Sequence, residues 1–143
     1  MKRNTLYMAT LLVAFTMLFT GCTKEQMALA LLYGTWSLEE QLDNNGAVVP
    51  ATPNTTTEVL VTFFRCNDQN EENCYGSTKT TSTTTIGGSS TTTINGSSFS
   101  YRIFGKSQIV WGNTYFEIES LTKKELKLHP VSSPKATTTY KKQ

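Results

Sequence analysis

A single histidine and only three cysteines among 143 residues leave little room for a histidine-rich metal site or a zinc ribbon. Catalytic pairings are equally scarce. No serine stands with a visible His and Asp partner, and a lone His129 restricts general-base chemistry and reads as an ordinary surface residue. The adjacent acids Glu39 and Glu40 fall on opposite faces of a strand, which spoils them as a dyad. The expectation is a protein that is not an enzyme and carries no cofactor or metal. Charge of one sign is lacking too: 13 basic residues face 11 acidic ones, and the excess, Lys2 and Arg3, lies in a segment read below as a removed leader. A neutral mature chain has no footprint for nucleic acid. The longest apolar run, Leu6 to Phe19, is about 14 residues against the roughly 20 that span a bilayer.

What is plentiful is threonine, 25 residues, most of them within 52–93 and 137–139. Threonine favours strands. One domain accounts for the length.

The first 21 residues have the three parts of a leader: a cationic start at Lys2-Arg3, the apolar run, and small residues before Cys22. The alternative is an ordinary secretory peptide with an incidental cysteine. Leu18-Phe19-Thr20-Gly21-Cys22 resembles the lipobox of bacterial lipoproteins, with Phe19 in place of the usual Leu. That resemblance implies a diacylglycerol thioether on Cys22, with further acylation such as palmitate, and so a firm bilayer anchor. It further implies outer-membrane delivery, because Thr23 rather than Asp follows the cysteine. Lys24-Glu25 is similar to half of a surface-export signal, so the mature protein is expected at the periplasmic face or the cell surface.

Residues 22–33 then read as a lipidated N-terminus with a short helix. Met27, Ala28, Leu31 and Leu32 recur at helical spacing up to Gly34, and the stripe reads as core contact. From Gly34 to 143 the pattern is strands. Thr35–Leu42 places Trp36, Leu38 and Leu42 on one side; Asp43-Asn44-Asn45-Gly46 is turn chemistry; Val59, Val61 and Phe63 alternate. Tyr75–Ile86, a break at Gly87-Gly88-Ser89-Ser90, and Thr91–Ile94 form the polar centre, and Asn95-Gly96 is a strong hairpin signal. A disordered threonine linker is the alternative for this stretch. Phe99, Tyr101 and Ile103 alternate, and short strands follow at Ile109–Trp111, Thr114–Ser120, Glu125–His129 and Ala136–Lys141. Eight or nine strands without a crossover helix predict an all-β fold, an antiparallel barrel or a sandwich.

The short helix entering Gly34-Thr35-Trp36, the string of strands, and Tyr115-Phe116-Glu117-Ile118-Glu119-Ser120-Leu121-Thr122 with Leu126-Lys127-Leu128 together resemble the bacterial lipocalin-like lipoprotein family, within the lipocalin superfamily. The resemblance covers about Leu31 to Tyr140. It implies an antiparallel up-and-down β-barrel of about eight strands in which Trp36 plugs the closed end beneath a cation from the last strand, with Lys141 the nearest match and Lys142 second. The Thr-Asp-Tyr and late-Arg motifs of classical lipocalins are absent, so strand order and the open-end loops are not carried over.

After leader removal Cys66 and Cys74 are the thiols left besides the lipidated one. An even pair in an oxidising compartment favours a disulfide. The acids and amides between them, Asp68 to Glu72, lack the Gly and final Glu of an EF-hand loop. Asn54 and Asn95 begin glycosylation-type triplets that a bacterial leader makes irrelevant. Three functions stay open: a barrel holding a small hydrophobic or amphipathic ligand, a structural lipoprotein docking on an outer-membrane partner through its threonine hairpin, and an enzyme, the least favoured. For the first, the ligand-facing candidates are Val61, Phe63, Tyr101, Ile103, Trp111 and Phe116. The same residues would otherwise fill a solid core.

Overall fold

The computed structural model describes residues 24–66, 74–104 and 107–143. The leader, Cys22 and the acidic stretch between the two later cysteines lie outside the described residues. Among the described residues one helix, α1 (Lys24–Leu32), precedes eight strands: β1 (Gly34–Gln41), β2 (Thr55–Phe63), β3 (Cys74–Ile86), β4 (Ser89–Phe104), β5 (Gln108–Trp111), β6 (Thr114–Leu121), β7 (Glu125–Pro130) and β8 (Thr138–Lys142). Each strand pairs with its chain neighbours, and β8 closes on β1, giving a closed antiparallel barrel in up-and-down order. The all-β expectation resolves to the barrel, with eight strands.

Alternation builds the interior. Trp36, Val61, Phe63, Tyr101, Ile109, Leu126 and Leu128 are almost wholly buried, each on the inward face of its strand. Burying a side chain of this size is worth about 1.5–3 kcal/mol. Leu32 and Ala28 of α1 join the same cluster, with Leu29 packed against it. Met27, expected on the packed stripe, is 52% exposed. The helix docks through 28, 29 and 32, and one residue of rotation moves 27 outside.

Two further expectations are corrected. The Asn95-Gly96 hairpin is not a turn: both residues lie inside β4, opposite Thr80 and Lys79. Of the two expected breaks, the chain reverses at Gly87-Gly88, where φ is +58° and +85°, the left-handed values that a type I′ hairpin requires at both central positions. Two glycines reach them without a Cβ penalty, so they outcompete Asn-Gly. The chain from Tyr75 to Phe104 therefore forms two long strands rather than three short ones. Leu42, expected in register with Leu38, follows a bulge between Leu38 and Glu40. The Asp43–Gly46 turn forms as read. Its carboxylate accepts the backbone N–H groups of Asn45 and Ala47 at 2.8 and 2.9 Å, which hold the Asp43 pKa below its ordinary value.

Strand lengths are unequal, and that decides the shape. β3 and β4 have 13 and 16 residues while β5 has 4. β1 pairs with β2 only at Leu60–Phe63, and β5 pairs with β4 only at Tyr101–Phe104. The outer halves of β2, β3 and β4 therefore continue past the barrel as a three-stranded sheet, at the end away from α1. The threonine-rich segment is ordered strand, not linker.

Candidate functional site

The α1 end is stoppered by groups that satisfy one another. A helix leaves its last carbonyls without internal partners. Here the Trp36 indole N–H donates to the Leu32 carbonyl at 2.7 Å, and the Lys142 ammonium donates to the Leu31 carbonyl at 2.8 Å. The same ammonium lies 5.0 Å from the centre of the Trp36 ring, a cation–π contact worth about 0.5–1 kcal/mol where exposed and more where dry. Partial burial lowers the Lys142 pKa.

The cation is thus Lys142 and not Lys141. Register gives the reason: Trp36 stands opposite Lys142, whereas Lys141 stands opposite Ser37 on the outward face, where it pairs with the carboxylate of Glu39. Gly34, between helix and strand, has φ +122°, and a Cβ there would lie 2.9 Å from the Lys142 side chain. The glycine admits both the backbone turn and the lysine.

Cys66 and Cys74 form a disulfide with Cα atoms 5.5 Å apart, within the ordinary range. It closes the loop between β2 and β3 at this same end.

Four of the six ligand-facing candidates, Val61, Phe63, Tyr101 and Ile103, lie in the sealed core. Phe63 is the centre of an aromatic pack, edge-on to Tyr101 at 5.0 Å, to Trp111 at 5.4 Å and to Phe99 at 5.6 Å. Such edge-to-face pairs add about 0.5–1.5 kcal/mol beyond area burial. The Tyr101 hydroxyl donates to the Phe64 carbonyl at 3.0 Å, and burial pushes its pKa up to about 12. At mid-barrel the interior is therefore filled by rings.

The remaining two, Trp111 and Phe116, are only partly buried. They stand near the end opposite α1, Trp111 as the last residue of β5 and Phe116 near the start of β6. Phe99 lies 4.7 Å from Trp111 between ring centres, and Phe116 and Tyr140 lie 6.1 and 6.2 Å from it. These four rings form a partly buried floor packed against the core, on the side of the projecting sheet. Among the described residues the Trp111 indole N–H has no hydrogen-bond acceptor, yet it is not sealed from solvent.

Above that floor rises the inward face of the projecting sheet. Pairing carries the Phe63–Gly76–Phe99 row outward through Val61–Thr78–Ser97, Val59–Thr80–Asn95, Thr57–Ser82–Thr93 and Thr55–Thr84–Thr91. Val61 still belongs to the buried core; beyond it, apart from Val59, the wall is hydroxyl and amide and bears no charged side chain. Glu58 and Lys79 fall on the opposite face by alternation. Hydroxyls pair across strands at Thr78–Ser97 (2.7 Å) and Thr55–Thr84 (3.1 Å).

Phe99 and Tyr140 belong to the floor but not to the sequence-derived candidates. Phe99 was legible, since it alternates with Tyr101 and Ile103. Its placement depends on Gly76: a Cβ there would meet the Phe99 ring and lie 2.6 Å from the Thr62 carbonyl. Tyr140, in a strand of threonines and lysines, gave no apolar pattern; it is largely enclosed, and its pKa also rises to about 12 through burial.

His129 pairs with Glu117 at 3.0 Å across β6 and β7. Glu39 and Glu40 both border an open cleft of about 440 Å3 with Gln41, Val48, Val49 and Thr139, away from the rings. Among the described residues no helix is long and apolar enough to cross a membrane. No family model, curated protein or solved structure matches this chain.

Proposed function

We propose that this chain is a membrane-tethered lipoprotein whose lipocalin-like barrel binds a small amphipathic molecule at its open end, without catalysing a reaction on it. The observation that carries the reading is the partly buried floor of Phe99, Trp111, Phe116 and Tyr140 beneath an uncharged hydroxyl wall. Rings with solvent-facing surface offer an apolar molecule a place to stack, and the unpartnered Trp111 N–H offers one hydrogen bond. A ligand seated there needs no channel through the filled mid-barrel. The tether rests on the leader and on Cys22, which support delivery to the outer membrane, at the periplasmic face or the cell surface.

The test compares native mass spectra of the purified protein with titration by an environment-sensitive fatty-acid probe, for wild type and Trp111→Ala. Binding by wild type and its loss in Trp111→Ala, at a smaller stability cost than Trp36→Ala, is the expected result. An acyl mass on the Cys22 peptide is expected alongside. No co-purified ligand and no probe bound by wild type would overturn the reading. The second function, a solid-barrel lipoprotein docking on an outer-membrane or surface partner, would then take its place. That alternative draws on the long strand edge of β4.

A further inference from the structure

We infer that β4 pairs with β4 of a second copy of this chain, edge to edge and antiparallel, about a two-fold axis at Ile94. This inference is independent of ligand binding at the open end.

From Ser89 to Ser98 every β4 residue is exposed, and among the described residues no strand lies beside β4 there except β3. The direction of its backbone groups follows from the turn. A two-residue hairpin makes the flanking pair, Ile86 and Ser89, a hydrogen-bonded one. Odd-numbered residues of β4 therefore bond to β3, and even-numbered ones point their N–H and C=O away. The Ser100 carbonyl agrees, since it accepts from Gly112 on the β5 side. Below that contact, Ser90, Thr92, Ile94, Gly96 and Ser98 present a row of unpaired donors and acceptors.

Exposed edges of this length are ordinarily blunted by Lys, Pro or a bulge. This one has no proline, no charged residue from Ser89 to Tyr101, and no register shift against β3. A second copy fits it for two reasons. The edge is uncharged, so laying it on itself brings no like charges together. Its apolar side chain, Ile94, is 61% exposed and stands at the midpoint of the five outward-pointing residues. The antiparallel register that pairs all five, Ser90 with Ser98, Thr92 with Gly96 and Ile94 with itself, is the one that stacks isoleucine on isoleucine. Such a contact is self-complementary and closes at two copies, joining two three-stranded sheets into one of six.

The experiment measures the mass of the full-length mature protein in detergent, corrected for bound detergent, over a wide concentration range. The expected wild-type mass is that of two chains. Ile94→Lys, which puts like charges on the axis, and Thr92→Pro, which removes an outward N–H without touching the bonds to β3, are expected at half that mass with unchanged circular dichroism. Ile94→Cys should cross-link to a covalent dimer under mild oxidation, whereas Ile86→Cys, at the more exposed hairpin tip, should not. A one-chain mass for wild type at every concentration would overturn the inference. So would a two-chain mass that survives both edge substitutions, or cross-linking from Ile86 rather than Ile94.

Discussion

The two ends of this barrel are made of different chemistry and are held by different forces. From the α1 end to mid-barrel, Trp36, Leu32, Phe63 and Val61 are buried to within a percent or so of complete enclosure, and the polar groups beside them are answered: the Trp36 indole by Leu32, the Lys142 ammonium by Leu31, the Tyr101 hydroxyl by Phe64. At the other end, β3 and β4 run past the barrel with serine and threonine on both faces, and their order comes from backbone ladder and cross-strand hydroxyl pairs. The first end is stabilised by surface removed from water. The second is stabilised by hydrogen bonds that water competes for, each worth little net. Buried packing is therefore concentrated at the α1 end, where the chain both enters and leaves the barrel, and exposed backbone at the end where β3 and β4 reverse.

The sharpest test of that contrast is Trp36→Ala. It opens a cavity in the closed end and strips the Leu32 carbonyl of its donor, so unfolding in denaturant should show a loss of about 3–5 kcal/mol, the range for a buried aromatic cut to Ala. A loss no larger than that of an exposed hairpin residue would break the comparison. Next in size is the loop closure at the same end. Replacing Cys66 and Cys74 by Ser should cost roughly 2–3 kcal/mol by chain entropy, read from the thermal midpoint, with non-reducing mass mapping of the native protein giving a linked peptide. Freely alkylated thiols in material from an oxidising compartment would count against it. Smallest is Thr83→Ala on the projecting sheet. Its hydroxyl meets Thr92 at 3.1 Å, an exposed cross-strand pair worth about 0.2–1 kcal/mol. A fall beyond that in stability would show that the sheet is coupled to the core rather than carried by it.

The sequence was most readable where burial follows a period. Phe99, Tyr101 and Ile103, or Leu126 and Leu128, announce both strand and inward face, whereas the plug role of Trp36 came only from the family resemblance. It was least readable where two local signals compete. Asn95-Gly96 and Gly87-Gly88 are both good turn dipeptides, and only the pairing of 74–86 with 89–101 chooses between them. The cation over Trp36 posed the same difficulty, because Lys141 and Lys142 differ by one residue and hence by one face. The candidate site was half legible. Trp111 and Phe116 were named, but the four deeper candidates lie in sealed core, and Phe99 and Tyr140 complete the floor.

Composition and alternation by themselves determined an antiparallel all-β fold, barrel or sandwich, entered by a short helix, because a period of two with glycine and asparagine turns calls for burying one face of each strand; closure of β8 on β1 made it a barrel. What only the tertiary structure decided is where the barrel stops. The sequence does not encode which stretch of a long strand has a neighbour, since pairing depends on the lengths of β1 and β5 as much as on β2, β3 and β4. Those lengths leave the threonine sheet outside the barrel, set Trp111 at its rim, and turn one side of β4 to solvent.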